Sequence, residues 1–317
     1  MRLLIRTWAL MRLEDPGLAA RRTIESDDGG GRQGFLDWLA PRFASGVGTG
    51  CAENQSDFST AALARWLSKA PPRTPPNHRP HLPTTTTNTM PMTVTQALES
   101  RLSIRDFLPD PVPAALIRQV LATASRSPSG GNVQPWHIDV LAAEPLAALK
   151  ARMQQRLAEV AAGDLSELAE YDIYPKELVS PYRDYRFKLG EDMYARLGIP
   201  RDDKPARLRW FARNFAFFGA PMALFCSIDR RMGPPQWSDL GMFLQSVMLL
   251  LREAGYDSCP QECWAVYPRT IGEFINLPPE RMLFTGMSIG HRNPEHAINS
   301  LRIDRAPVDT FARFHGV

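Results

Sequence analysis

The first residues whose types and spacing suit chemistry form the run Arg101-Leu102-Ser103-Ile104-Arg105. Two guanidinium groups and a hydroxyl lie close together here, directly after a segment with helical spacing. Arginine suits phosphate because its planar group presents a fork of N–H donors. The run therefore indicates an anion site, although such a group taken alone is more often a solvated helix end.

A second cluster spans Ser127 to Trp136 and has the sequence SPSGGNVQPW. Its small residues would let backbone N–H groups approach a flat ligand closely. Asn132 and Gln134 add donors and acceptors for the polar edge of a ring. A ligand-binding loop and an ordinary turn explain these residues equally well.

A third cluster lies in the last third of the chain. It begins with Cys259-Pro260-Gln261-Glu262, continues at Gly286 to Gly290, and ends with Arg302 and Arg305. Arginines that are far apart in sequence could converge on one anion. Spacing alone supports this only weakly.

Composition excludes several other classes of protein. The 317 residues are 44% hydrophobic, which is enough for one large domain or two small ones. A net charge of +3, from 37 basic and 34 acidic residues, does not suggest a nucleic-acid partner. No apolar run is long enough for a membrane span, and Arg6 and Arg12 interrupt the start, unlike a secretory signal. The cysteines match neither a disulfide framework nor a zinc site, so we expect no metal and a reducing, cytoplasmic setting.

The composition changes sharply near residue 90. Residues 71–89 are too rich in proline and threonine to pack. Met92 is a credible protein start because a helix-cap candidate, Thr93, and helical periodicity follow it. We therefore expect residues 1–91 to be a largely disordered extension, a partner-binding tail or a mis-assigned start, and residues 92–317 to form one domain.

Helical and strand patterns alternate after Met92. Helices are predicted over 94–101, 113–126, 144–162, 208–220, 238–254 and 268–276, and strands over 136–143, 222–229, 258–264 and 281–291. This mixture indicates an α+β fold with helices packed around a sheet. The helix 238–254 has no charged residue between Asp239 and Arg252, so it must be buried on nearly all sides, in a domain centre or an obligate dimer.

Together the three clusters resemble the nitroreductase family over residues 92–317. The matching stretches, in order, are RLSIRDF, SPSGGNVQPWHIDV, NFAFFGAP, SDLGMFLQSVMLLLREAGYDSCPQ and GMSIGHRNPEHAINSLRIDRAP. Their order and spacing make the match specific. The resemblance implies a nitroreductase-like α+β fold with a mixed sheet flanked by helices, in an obligate domain-swapped homodimer with FMN at the interface.

The resemblance also implies roles for residues of the first and third clusters. The family's opening R-x-S-x-[RK] motif binds the phosphate, ribityl and pyrimidine parts of FMN, and it matches Arg101, Leu102, Ser103 and Arg105. Arg305 matches a late arginine that completes phosphate binding, and Arg302 could share this task. The family's segment whose backbone lies beside flavin N5 and O4 matches Pro260, Gln261 and Glu262. Cys263 stands where many members have glycine, which puts only the local backbone contact in doubt.

Further cofactor and substrate residues follow from the same resemblance. A P-S-x-x-N block, which in the family reaches the flavin held mainly by the other subunit, matches Pro128, Ser129, Gly130 and Asn132. Asn214 is equally suited to a flavin contact and to packing in its helix. The insert 163–205 is typical of the subgroup that acts on bulky nitroaromatics. Core burial is the alternative for each candidate at the substrate face: Tyr182, Tyr185, Phe217, Phe218 and Trp264.

The implied activity is NAD(P)H-dependent reduction of nitroaromatic or quinone-like acceptors through FMN. The flavin would carry the redox chemistry with no catalytic side chain, and the positive charge of Arg105 would tune the reduced ring. Donor and acceptor would use one place in turn, which implies ping-pong kinetics. The implied partners are NADPH or NADH, a small aromatic acceptor and a second copy of the chain. Reductive dehalogenation, flavin breakdown and non-catalytic flavin binding remain alternatives.

Overall fold

From Met92 to Val317, the range that the structure describes, the chain forms helices around one sheet; the structure is a computed structural model. The expectations for residues 1–91 lie outside the described residues. The helices are α1 (Val94–Ser100), α2 (Ala114–Ala124), α3 (Ala143–Ala161), α4 (Tyr182–Arg196), α5 (Lys204–Ala212), α6 (Pro234–Glu253) and α7 (Pro268–Ile275). The strands are β1 (His137–Ala142), β2 (Met222–Asp229), β3 (Asp257–Gln261) and β4 (Arg281–Gly290). The predicted α+β class is confirmed.

The sheet has the strand order β1-β2-β4-β3, and every neighbouring pair is antiparallel. The expectation of a mixed sheet is therefore wrong for these four strands. Alternating helices and strands suggest parallel neighbours, and α6 does carry the chain from β2 to β3 in the same direction. However, β4 lies between β2 and β3 and pairs with both, so the parallel strands are never adjacent.

The core lies on both faces of the sheet. The alternating side chains of β2 point to opposite faces, as the two-residue period of a strand requires. Ala223 and Phe225 pack against α3 and the aromatic segment after α5. Leu224 and Cys226 pack against α2 and α6. Seven of the eight residues of β2 are fully buried because helices cover both of its faces.

Local chemistry explains where several helices begin. At α1 the predicted cap is confirmed, since the Thr93 hydroxyl accepts from the Gln96 N–H and the Gln96 side chain accepts from the Thr93 N–H. Helix α6 begins at Pro234, four residues before the predicted start, because proline fits the first helical turn. No helix among the described residues is long and apolar enough to cross a membrane.

Two segments differ from their predicted form. The insert 163–205 contains α4, whose sequence lacks a clear apolar stripe because only Tyr194 is buried. The segment predicted as one helix over 208–220 instead leaves α5 at Ala212 and continues as a 3-10 segment. There Phe217 and Phe218 have φ angles of 51° and 53°, so the helix cannot continue through them.

Candidate functional site

The segment from Arg101 to Arg105 leaves α1 in an extended conformation and lies beside β3. The backbone N–H of Ile104 donates to the carbonyl of Ser258 at 3.1 Å, and Ser103 forms a parallel bridge with Ser258. Ile104 is fully buried. In an extended chain alternate residues share a face, so Arg101, Ser103 and Arg105 lie on the side opposite Ile104. This explains why the three candidate binding residues are spaced two apart in the sequence.

Arginines from the two ends of the domain converge beside this segment. Arg302 donates to the Glu99 carbonyl at 3.3 Å, which brings the C-terminal segment to the end of α1. Burial lowers the pKa of Arg101, and the nearby positive charge of Arg305 lowers it further. The Nε atom of Arg101 is buried and has no hydrogen-bond partner among residues 92–317. Within residues 92–317 no carboxylate forms an ion pair with Arg101, Arg105, Arg302 or Arg305. The unbalanced positive charge fits an anionic ligand such as a phosphate.

The end of β3 brings two further predicted residues together. Gln261 is 3% exposed, and its amide nitrogen donates to the Asn214 carbonyl at 2.9 Å and to Asn214 Oδ1 at 3.2 Å. Its amide oxygen accepts from the Ser288 hydroxyl at 2.6 Å. Asn214 also donates to the Phe211 carbonyl at 2.8 Å. Both amide side chains therefore have internal partners, and this network fixes the backbone from Pro260 to Glu262.

Part of the insert 163–205 approaches the same segment. The guanidinium carbon of Arg186 lies 4.3 Å from the ring centre of Tyr174. Burial raises the pKa of the Tyr174 phenol, and the negative charge of Glu262 raises it further. Tyr174 and Arg186 were not among the predicted site residues, and no local motif marks them. The insert thus covers the end of β3.

The loop with Pro128, Ser129, Gly130 and Asn132 lies against α6, between Asp239 and Ser246. The Gly130 N–H donates to Asp239 at 3.3 Å, and Ser127 donates to Ser246 at 2.8 Å. The end of α1, in contrast, meets α6 at Arg252, whose Nε lies 3.4 Å from the Ser100 hydroxyl. Asp239 and Arg252 are about 20 Å apart along the helix. Among the described residues, no hydrogen bond or ion pair joins this loop to Arg101, Arg105, Arg302 or Arg305.

Three of the aromatic candidates do not line a surface. Phe217 and Trp264 are 0% exposed and Phe218 is 2% exposed, so their assignment to the substrate face is wrong for this structure and the core alternative holds. The Trp264 ring stacks on Phe217 at 4.3 Å and meets Phe225 edge-on. Tyr182 and Tyr185 of α4 are 63% and 50% exposed, and their role stays a prediction.

The comparisons with known proteins agree with this fold. The model of the nitroreductase family matches residues 98–291. The chain therefore belongs to the nitroreductase family, as its motifs predicted, and it is an enzyme of that family.

Individual relatives cover nearly all of the described range. The chain is 36% identical over 217 residues to a 4-nitrobenzoate reductase of Pseudomonas putida, covering 68% of this chain and 93% of the relative. Among solved structures, it is 43% identical to the FMN- and NADPH-dependent nitroreductase NfnB from sphigopyxis sp. strain HMH, with a TM-score of 0.68, covering 71% of this chain and 100% of that one. It is 27% identical to the FMN-dependent nitroreductase NfnB from Mycobacterium smegmatis in complex with NADPH, with a TM-score of 0.66, covering 70% and 100%.

Proposed function

We propose that this protein is an FMN-dependent oxidoreductase that passes two electrons from NAD(P)H to nitroaromatic or quinone-like acceptors by a ping-pong mechanism. The observation that carries the proposal is the convergence of Arg101, Arg105 and Arg305 beside β3 without a carboxylate partner among the described residues. Relatives that reduce 4-nitrobenzoate and chloronitrobenzene, at 36% and 32% identity, support nitroaromatic acceptors.

The residues present fit FMN. Arg101, Arg302 and Arg305 would hold its phosphate, because the negative charge offsets their mutual repulsion and provides a partner for the buried Arg101 Nε. Ser103 would contact the ribityl chain and Arg105 the pyrimidine side. The backbone of Pro260 to Glu262 would lie beside the ring edge, with Gln261 and Asn214 fixing its position. When bound, FMN supplies the acceptance and donation of a hydride, while the protein binds and orients the reactants.

A second copy of the chain would complete the site. Another subunit would bring Pro128, Ser129, Gly130 and Asn132 to the arginines. Within one chain, Gly130 contacts Asp239, which lies about 20 Å along α6 from Arg252. Met242 on α6 is 40% exposed in the single chain, although the sequence predicts burial of this helix on nearly all sides. The C-terminal segment also exposes large apolar side chains that a second copy would cover, in a domain-swapped arrangement: Val308 at 52%, Phe311 at 72% and Phe314 at 63%.

The insert would shape the acceptor site. Tyr174 and Arg186 approach the segment beside the flavin, and the exposed rings of Tyr182 and Tyr185 offer apolar surface to an aromatic acceptor. Closing this cover would exclude water, which strengthens the effect of the Arg105 charge on the ring. Because one cavity would receive both NAD(P)H and the acceptor, the two must bind in turn.

The test uses the full chain after purification. We expect flavin absorbance, or uptake of added FMN, and NADPH oxidation that depends on added 4-nitrobenzoate. Double-reciprocal plots at several NADPH concentrations should give parallel lines. A colourless protein that cannot take up FMN would refute the proposal. Flavin binding without acceptor-dependent NADPH oxidation would instead indicate a non-catalytic flavin-binding protein.

Light scattering tests the proposed dimer, and a substrate panel tests the alternative flavin reactions. We expect a dimer mass in solution. A monomer that retains FMN and full activity would rule out a shared site. Anaerobic incubation with halogenated aromatics should show no dehalogenation at a rate close to nitro reduction. Incubation with excess reduced flavin in the presence of oxygen should show no flavin breakdown at such a rate.

A further inference from the structure

We propose that Asp257 and Asn299 are positioning residues that fix the two ends of the Arg101–Arg105 segment, Asp257 for the phosphate end of the flavin and Asn299 for the ring end. This inference rests on the proposed function. Both residues lie within stretches that resemble the family, but the resemblance assigned neither of them a role. Both are buried, and neither occupies the surface that carries the arginines. Each stabilises the segment through hydrogen bonds on the side away from the arginine surface.

Asp257, at the start of β3, organises the end of α1. It is 3% exposed, and its carboxylate accepts from Arg292 Nε at 2.8 Å and from Arg252 Nη1 at 3.0 Å. The same two arginines reach Ser100, which directly precedes Arg101. Arg292 lies 3.4 Å from the Ser100 carbonyl, and Arg252 Nε lies 3.4 Å from its hydroxyl. Asp257 thus sets the position of Arg101 through two guanidinium groups.

Asn299 organises the other end. It is 6% exposed, and its amide oxygen accepts from the backbone N–H of Arg105 at 3.0 Å. Its amide nitrogen donates to the Asp106 carbonyl at 2.7 Å and to the Asn293 carbonyl at 2.9 Å. The backbone on both sides of the Arg105 carbonyl is therefore fixed by one side chain.

The physical need for such contacts lies in the charge of the segment. Arg101 and Arg305 repel each other, and no described carboxylate faces them, so the segment would relax outward before an anion binds. Contacts on the side away from the arginine surface can hold the segment without placing a negative charge beside the phosphate. A site that is preorganised in this way needs little ordering when the ligand binds, so the free-energy cost of binding is smaller.

The test compares FMN with riboflavin, which has the same ring system but no phosphate. Apoprotein is titrated with each flavin, and quenching of flavin fluorescence gives the dissociation constants. For Asp257→Asn we expect FMN affinity to fall about tenfold or more with riboflavin affinity nearly unchanged. For Asn299→Ala we expect both affinities to fall, together with a lower midpoint potential of the bound FMN, because Arg105 would be displaced from the ring.

The sign of the first effect separates positioning from simple electrostatics. Removing the negative charge of Asp257 would by itself tighten phosphate binding, since it leaves Arg252 and Arg292 uncompensated. Loss of the positioning contacts would instead weaken phosphate binding. The uncharged variant Ser100→Ala removes the Arg252 contact with less risk to folding, and it should weaken FMN binding several-fold, in the same direction, without changing riboflavin binding.

The matched control is Asp229→Asn. Asp229 also accepts two bonds from one guanidinium group, that of Arg231, at 2.9 and 2.7 Å. It pairs with Arg281 at the start of β4, whereas Asp257 pairs with Gly290 at its end, so the two carboxylates lie about 30 Å apart. The control should bind both flavins like the natural protein.

The outcomes are distinct. If the natural protein binds neither flavin, the proposed function fails. If it binds FMN but Asp257→Asn and Ser100→Ala leave FMN affinity unchanged, or weaken FMN and riboflavin equally, the positioning role of Asp257 is overturned. If Asn299→Ala changes neither riboflavin affinity nor the midpoint potential, the role of Asn299 is overturned.

Discussion

Replacing Gly286 by alanine should destabilise the domain through a single aromatic ring. Gly286 lies in β4 opposite Gln261, and a Cβ added there would lie 2.4 Å from Trp264 Cδ1 and 3.0 Å from its Cγ and Nε1. The ring cannot move aside, because Phe217 stacks on it at 4.3 Å and Phe215 and Phe225 meet it edge-on at 5.3 Å. Overpacking of a well-filled core costs typically 1–3 kcal/mol, and this geometry favours about 3 kcal/mol.

Thermal unfolding of the apoprotein measures this effect. For a domain of this size, about 3 kcal/mol corresponds to a fall in Tm of roughly 6–12 °C. The matched control is Gly272→Ala within α7, where the new Cβ would make only ordinary contacts with Leu277 at 3.7 Å. Because alanine favours a helix more than glycine does, this control should raise stability by about 0.5–1 kcal/mol.

A second substitution tests whether the ring is the cause. Trp264→Leu provides a flexible side chain, and it also removes a buried Nε1 that has no hydrogen-bond partner among the described residues. Its cavity costs about 2–4 kcal/mol, from which removal of the unsatisfied donor subtracts about 1–3 kcal/mol. In that background Gly286→Ala should cost less than about 1 kcal/mol, a coupling of about 2 kcal/mol. An equal loss of Tm in both backgrounds would refute the reasoning.

Three further outcomes are expected. Arg156→Met should lower the free energy of unfolding in urea by about 3–5 kcal/mol, because it leaves Glu167 buried without its 3.1 Å ion pair; an unchanged midpoint would contradict this. Burial opposes ionisation of Asp106, but hydrogen bonds, above all from Arg213, outweigh it and lower the pKa. Its stabilising contribution is therefore present above the unfolded pKa of about 4 and lost as the pH falls further, so Asp106→Asn should flatten the decrease of Tm between about pH 4 and pH 2. Deleting residues 308–317 should shift the protein from dimer to monomer and speed FMN loss, which light scattering and filtration would show; an unchanged mass would argue against the domain swap.

Elements with a strong local signal could be predicted from the sequence. Helix α1 follows from Thr93 and Gln96, and β2 from its mainly apolar run, because each depends on residues adjacent in the chain. The sheet order could not be predicted, since β4 is inserted between β2 and β3 by pairing that no local pattern encodes. Helix α4 was missed because a helix that buries little has no apolar stripe to recognise.

The candidate site also contains residues that could be predicted from the sequence and residues that could not. The run from Arg101 to Arg105 could be found because its spacing of two matches an extended chain with one face toward a ligand. Asn299 could not, because the backbone N–H that it binds lies 194 residues away in sequence. A side chain that acts on a distant backbone group leaves no motif, so supporting residues become visible only in the folded chain.

The turn at Phe217 and Phe218 connects the fold of the chain with the candidate site. Two successive bulky residues at positive φ are unfavourable, and such a conformation persists only where the surroundings determine it. Here the Phe218 carbonyl accepts from the Phe107 N–H at 3.2 Å, and Lys150 donates to the Ala220 carbonyl at 2.9 Å. Because these contacts hold the end of the 3-10 segment that carries Asn214, that residue stays within reach of Gln261 at the end of β3. The strained turn therefore helps to fix the backbone on which the flavin ring would lie, and a smaller residue at position 217 should loosen that backbone even though it touches no ligand.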